Sequence, residues 1–160
     1  MIFVSVGMQM PFDRLCRTVD EWCGRTGRKD VFMQIGSTSW SPSHCEYVNL
    51  LDPEEYARRI NEAELLVMHA GTGSILAAMK YGKPIVVMPR LARLRETRND
   101  HQMATVRRFR ELSGITVALD ETELLERMDS LETVAKPAPL SPSASPELIE
   151  ALRNFIHTAR

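Results

Sequence analysis

The sequence predicts an α/β fold built on a doubly wound parallel sheet. Three observations carry that prediction. Short apolar runs recur at residues 2–6, 31–35, 65–69, 85–88 and 115–119, as strands covered on both faces do. Between them lie segments whose apolar residues repeat at helical spacing. Glycine, alone or as Gly82-Lys83-Pro84, punctuates the junctions. Such alternation implies right-handed crossovers and a ligand at the carboxyl ends of the strands.

Residues 2–6 form the first strand. The opening stretch lacks a positively charged leader region, so no signal peptide is expected. Gly7 to Met10 is a loop, and Pro11 suits the first position of a helix. Phe12, Leu15, Cys16, Val19, Trp22 and Cys23 give that helix one apolar face, and Gly24 and Gly27 end it. Residues 31–35 are the second strand, closed by Gly36, and 46–50 the third. Asp52-Pro53-Glu54-Glu55 starts a helix, with a cap, a proline and acidic residues in the first turn. A strand at 65–69 leads into a helix at 74–81, which Gly82 stops. After the strand at 85–88 comes a basic loop, 90–99, then a helix at 100–112 ended by Ser113-Gly114. Residues 115–119 are the last strand and 121–128 a short helix.

The expected organisation is one domain, 1–135, a linker, 136–146, and a terminal helix, 147–160. The linker holds four of the nine prolines and three serines. The terminal helix carries an apolar stripe of Leu148, Ile149, Leu152, Phe155 and Ile156, which docks either on its own domain or on a partner.

Composition bounds the function. The 160 residues suffice for one substantial core. A formal net charge of −1 gives no electrostatic case for nucleic acid. No apolar run approaches the roughly 20 residues that span a bilayer. The three cysteines, an odd number without metal spacing, argue for reduced thiols in the cytoplasm. Cys16 and Cys23 fall on the apolar stripe of the first helix and are expected in the core. His44-Cys45 has no second pair at ligand spacing, so no metal site is predicted.

The most informative stretch is His69-Ala70-Gly71-Thr72-Gly73-Ser74, at a strand-to-helix junction. Glycine lets a backbone approach a ligand closely, and a helix N-terminus offers unpaired N–H groups and positive potential. Thr72 and Ser74 add hydroxyls and His69 a titratable ring, so the stretch reads as a cradle for a phosphate or pyrophosphate. The plain alternative is a glycine turn with Ser74 as the helix cap. Two other nucleotide signatures are absent: Gly7-Met8-Gln9-Met10 is not GxGxxG, and Gly82-Lys83 follows a helix where a P-loop precedes one. The arginine-rich stretch from Arg90 to Arg110 has three readings. Arg90 and Arg93 clamp an anion, the run faces an anionic membrane, or it is a solvated, ion-paired surface.

Gly7, Gln34-Ile35-Gly36, His69 to Ser74, Gly82-Lys83-Pro84, Pro89-Arg90 and Asp100-His101-Gln102 occur in an order that resembles the donor-binding, C-terminal domain of family-28 glycosyltransferases of the GT-B fold. The resemblance runs from Met1 to about Met128 and is nearest to the small catalytic subunits of two-component enzymes. These include UDP-N-acetylglucosamine transferase subunits and bacterial exopolysaccharide glucuronosyltransferase subunits.

The resemblance implies a Rossmann-like fold and a nucleotide-sugar-binding role for residues 1–135. Gly7, Gln9, His69, Gly71, Thr72, Gly73 and Ser74 would hold the donor diphosphate. Gln34 and Gly36 would line the donor cleft, and Leu50 and Leu51 the uracil pocket. Asp100 and Gln102 would meet the hydroxyls of the transferred sugar; taken alone, they read as a helix cap and a solvated face. UDP-sugar is a co-substrate, and no cofactor is implied. The implied partner is a membrane-anchored, acceptor-binding subunit that recruits the chain to the cytoplasmic membrane face and presents a lipid-linked acceptor. The general base would come from that partner, with His101 the candidate this chain offers. Two positions depart from the family. Ala77 stands where a ribose-binding carboxylate is common, leaving Glu96 as the substitute, and Met8 replaces a small hydroxyl residue. One rival reading is a non-enzymatic, nucleotide-binding regulatory module of the same fold; a second, a nucleotide-sugar epimerase-like hydrolase, is disfavoured because such enzymes carry both domains on one chain.

Overall fold

A computed structural model of the chain describes residues 1–110, 114–137 and 143–158. Strands β1 (Ile2–Ser5), β2 (Val31–Gln34), β3 (Glu46–Val48), β4 (Leu65–His69), β5 (Ile85–Met88) and β6 (Ile115–Val117) form one sheet in the order β3-β2-β1-β4-β5-β6. Every neighbouring pair is parallel. The helices are α1 (Asp13–Thr26), α2 (Pro53–Glu62), α3 (Thr72–Tyr81), α4 (His101–Phe109), α5 (Glu121–Asp129) and α6 (Pro146–Thr158). The doubly wound parallel sheet is therefore as the sequence predicts.

Both faces of the sheet are covered, which is why its strands read as apolar runs. Val4, Met33, Val67 and Val86 point into a cluster with Leu15, Val19 and Trp22 of α1 and Leu124 of α5. Phe3, Leu66, Met68 and Ile85 point to the other side, against Ile60 of α2, Ile75 of α3 and Val106 of α4. Cys16 and Cys23 lie in the first cluster, as their spacing predicts. Burial in that cluster pushes the Cys16 thiol up to about 12.

The chain winds outward from β1 in one direction and from β4 in the other. The loops after these adjacent strands therefore part to opposite faces and leave a crevice between them.

Several element ends differ from the sequence reading. Helix α1 runs past Gly24 to Thr26, and Gly27 alone takes the left-handed conformation, at φ 70°. Gly24 has a packing reason instead: a Cβ there would stand 2.7 Å from the His44 ring. Strand β3 stops at Val48 because Asn49 turns its backbone and amide onto Gly36. Helix α3 starts at Thr72, so Ser74 lies inside the first turn and is not the cap. The expected stop of α4 at Ser113 lies outside the described residues, as does linker segment 138–142. Asp52 caps α2 as predicted, accepting from the backbone N–H of Glu54 and Glu55. Helix α6 forms where expected, with Leu148, Leu152, Phe155 and Ile156 all more than half exposed.

Asp20 fixes the polar loop before β3. Its carboxylate is 5% exposed and accepts from the backbone N–H of Ser43, His44 and Cys45 at 2.9, 2.8 and 3.1 Å. Asp20→Ala strands three amides and is expected to cost about 2–3 kcal/mol. Urea unfolding measures this, and a loss below about 0.5 kcal/mol would show that water replaces the carboxylate freely.

Candidate functional site

The crevice is built from the loops after β1, β4 and β5. Gly7, at φ 76°, brings the first loop against the His69 ring: a Cβ at Gly7 would lie 2.9 Å from His69 Nε2. A Cβ at Gly71 would collide with Cε1 of the same ring. The imidazole is thus seated between two glycines, one from each loop.

Its nitrogens are both engaged. Nε2 lies 3.2 Å from Ser74 Oγ, and Nδ1 lies 3.2 Å from Gln102 Nε2. Burial lowers the His69 pKa to about 4, and the nearby Arg90 charge pushes the same way. His69 is therefore neutral at pH 7.

Helix α3 opens beside this ring without a side-chain cap, because its N-cap is Gly71. The amides of Thr72 and Gly73 have no helical carbonyl to bond, since helices leave their first N–H groups unpaired. A Cβ at Gly73 would meet open space, so the cleft reaches the backbone there.

Two cavities meet at Gly7, Met8, His69 and Gly73. One, of about 360 Å³, is walled by Leu51, Pro53 and Tyr56. The other, of about 430 Å³, is walled by Gln9, Thr97 and Gln102. A third, of about 480 Å³, continues from Gln9 and Thr97 to Arg98 and His101. The glycine turn therefore sits midway along a continuous cleft.

The residues behind the wall hold its shape. Gln34 is 1% exposed; its amide reaches Gly7 O and Ser5 Oγ at 3.4 Å and accepts from Leu51 N at 3.1 Å. It ties the first loop to the segment after β3. Leu51 lines the cleft, whereas Leu50 is half exposed beside it. Gly36, at φ 71°, makes the turn that leads away from Gln34.

Arg90 is placed differently from a solvent-facing anion clamp. It is 4% exposed, and its guanidinium donates to Val6 O and Met10 O at 2.6 Å and to Pro11 O and Glu96 O at 3.2 Å. It also lies over the Phe12 ring, 5.1 Å from the centroid. Arg93 is exposed on the short turn Ala92–Leu94. Glu96 does not substitute for the missing ribose carboxylate. It pairs with Arg14 at 2.7 and 2.9 Å and accepts from Leu91 N at 2.9 Å. Asp100 is exposed and makes no cap bond to α4; it accepts from Ala92 N at 3.1 Å instead. Gln102, expected on a sugar, also accepts from Arg90 N at 3.0 Å.

Sequence reasoning missed Tyr56 and Thr97 in the wall. The position of Tyr56 followed from the Asp52 cap, since a residue four past a cap lies one turn into the helix. Nothing local marks Thr97.

The family model of the glycosyltransferase family 28 C-terminal domain matches residues 1–145. The chain belongs to that family. It is 34% identical over 95 residues to the UDP-N-acetylglucosamine transferase subunit ALG13 of Eremothecium gossypii. That match covers 59% of this chain and 45% of the relative, so the alignment spans less than half of that protein. The solution structure of ALG13 superposes with a TM-score of 0.61 at 20% identity, covering 94% of this chain and 93% of that one. The calicheamicin glycosyltransferase CalG4 gives 0.56 at 19% identity, covering 81% of this chain and 34% of the enzyme. These two superpositions show the shared fold. Family 28 membership bears out the resemblance read from the glycine turn and the motifs around it.

The depressed pKa of His69 sets a pH dependence. Unfolded, His69 titrates near 6.5, and folded near 4. The unfolded chain thus binds the extra proton first as pH falls, so stability present above 6.5 is lost progressively between 6.5 and 4. Urea unfolding across that range is expected to show a shallower decline for His69→Gln than for the parent chain. Parallel declines would mean that His69 titrates normally.

Proposed function

We propose that the chain is the donor-binding, catalytic subunit of a two-component inverting glycosyltransferase. It takes a UDP-sugar and transfers the sugar to a lipid-linked acceptor in polysaccharide or glycolipid biosynthesis. The observation that carries this reading is the uncapped start of α3 at the sheet's switch point, midway along a cleft of nucleotide dimensions.

The cleft divides the donor into parts. The apolar cavity at Leu51, Pro53 and Tyr56 takes the uracil, at the edge braced by Gln34. The amides of Thr72 and Gly73 and the Ser74 hydroxyl take the diphosphate, as helix N-termini take anions. The sugar extends toward Gln9 and Gln102. As the glycosidic bond breaks, charge grows on the leaving diphosphate. Fixed amides and the helix dipole stabilise that charge without reorganising. The reading invokes no metal and no cofactor.

The likeness to the Eremothecium UDP-N-acetylglucosamine transferase subunit supports a UDP-sugar donor and a partner chain. Among the described residues no helix is long and apolar enough to cross a membrane. A lipid-linked acceptor is then brought by a membrane-anchored partner, which holds this chain at the cytoplasmic face. The exposed apolar residues of α6, which begins where the family match ends, supply a surface for that partner.

A second reading, a regulatory module that binds nucleotide without turnover, is favoured by one pair of observations. Ala77 lacks the carboxylate common in the family, and Glu96 is committed to Arg14.

Gly73→Val tests the donor site, because its side chain projects into open cleft and spares the fold. UDP affinity measured by calorimetry is expected to fall at least tenfold, about 1.4 kcal/mol, with the thermal midpoint unchanged. Equal affinity in both proteins rejects the site. ADP or GDP binding as tightly as UDP rejects the uracil assignment.

Transfer from UDP-sugar to a lipid-linked acceptor is expected only with membranes that contain the partner. Truncation after Ser145 removes α6; it is expected to leave UDP binding intact and abolish transfer. Robust transfer by the purified chain alone overturns the two-component reading. UDP binding without transfer, even with the partner present, supports the regulatory module.

A further inference from the structure

Gln102 stands in the first turn of α4, with one atom at each end of its amide already engaged. One end faces the backbone N–H of Arg90 at 3.0 Å. A backbone N–H only donates, so the atom facing it is the amide oxygen. The nitrogen end therefore faces His69 Nδ1, at 3.2 Å. An amide nitrogen only donates, so Nδ1 accepts. A neutral imidazole carries one N–H, and here it lies on Nε2. That N–H meets Ser74 Oγ at 3.2 Å. A hydroxyl oxygen that accepts along one direction turns its own proton along another. Ser74 stands in the wall of the cleft beside Gly73.

We propose that Gln102 is a positioning residue that holds His69 in the Nε2–H tautomer and thereby presents the Ser74 hydroxyl as a hydrogen-bond donor to the diphosphate of a bound nucleotide. The chain of donors runs from Arg90 N–H through Gln102 and His69 to Ser74. It begins on β5's exit and ends at the start of α3, so the tautomer is set by the tertiary fold and not by the ring's own neighbours. The proposal rests on the donor-site reading above. It places the effect of Gln102 at the phosphates, whereas the resemblance implies contact with the transferred sugar.

The arrangement also accounts for the two glycines around the ring. A Cβ at Gly7 or Gly71 would strike the imidazole, so only glycine at both positions lets the ring sit in line with its two partners. The hydrogen-bond donors then come from a neutral ring and a hydroxyl, with the positive potential supplied by the helix terminus.

Long-range 1H–15N NMR of the labelled chain at pH 7 reads the tautomer directly, with His69 assigned by the signal that His69→Gln removes. The ligand-free chain is expected to show a protonated Nε2 and a bare Nδ1. A proton on Nδ1 overturns the proposal. Gln102→Met keeps the side chain's length and removes the donor to Nδ1. Its ring is expected to populate both tautomers, and UDP affinity to fall about three- to tenfold. A residue touching only the transferred sugar would leave UDP binding unmoved, and that result also overturns the proposal. Ser74→Ala is expected to weaken UDP binding about tenfold in the parent chain and by clearly less in the Gln102→Met background. Strictly additive losses mean that the two residues act independently and reject the relay. Should Gln102→Met fail to fold, the spectrum of the parent chain still decides the tautomer. If UDP does not bind the parent chain at all, the donor reading fails, and the spectrum alone decides whether the relay exists.

Discussion

A guanidinium buried at the end of β5 is the constraint on which the cleft depends. Burying a charge is costly unless its hydrogen bonds are replaced. The two terminal nitrogens of Arg90 replace theirs with the carbonyls of Val6, Met10, Pro11 and Glu96, so the first loop must close over it. The same residue's backbone N–H holds Gln102, and Gln102 holds His69. One residue, through its side chain and its backbone N–H, thus links three loops that come from distant parts of the sequence. The Arg14–Glu96 pair reinforces it from outside: Glu96 grips Leu91 N while Arg14 reaches Pro89 O at 3.0 Å.

The cleft's chemistry follows from combining this brace with the sheet topology. At the switch point between β1 and β4 the backbone of α3 opens toward solvent with its positive end exposed. A positively charged histidine would add to that potential but would be hard to keep desolvated. The structure keeps His69 neutral through burial and the neighbouring Arg90 charge. On the proposed donor reading, attraction for an anion falls to the backbone, which cannot titrate, and to the hydroxyls beside it.

Local signals were legible where local physics decides. The apolar runs marked the strands because both sheet faces are covered, and Asp52-Pro53 marked the start of α2 because the cap lies within four residues of its partners. The glycine turn was legible as a strand-to-helix junction with accessible backbone, because glycine's tolerance of close approach is itself local. Gly24 misled, since glycine at a helix end and glycine under a packed ring look the same in sequence. Ser74 was open to two readings, because a serine at a helix start also suits a cap; the fold gives that place to Gly71 and sets the Ser74 hydroxyl 3.2 Å from His69 Nε2. Arg90 and Arg93 read as one basic pair, yet one is buried under the first loop and the other exposed.

By itself, then, the sequence determined the α/β class, the strand-by-strand core, the family and the place of the glycine turn between β4 and α3. Each of these is written in residue types and spacings within a few turns of chain. The tertiary structure alone decided what the polar side chains do. Gln102, Glu96, Asp100 and Arg90 are all compatible with ligand contact by residue type. Their partners lie 5 to 84 residues away in sequence, from Leu91 N for Glu96 to Val6 O for Arg90. A hydrogen bond is directional and short, so its donor finds its acceptor only after the sheet has brought the loops together.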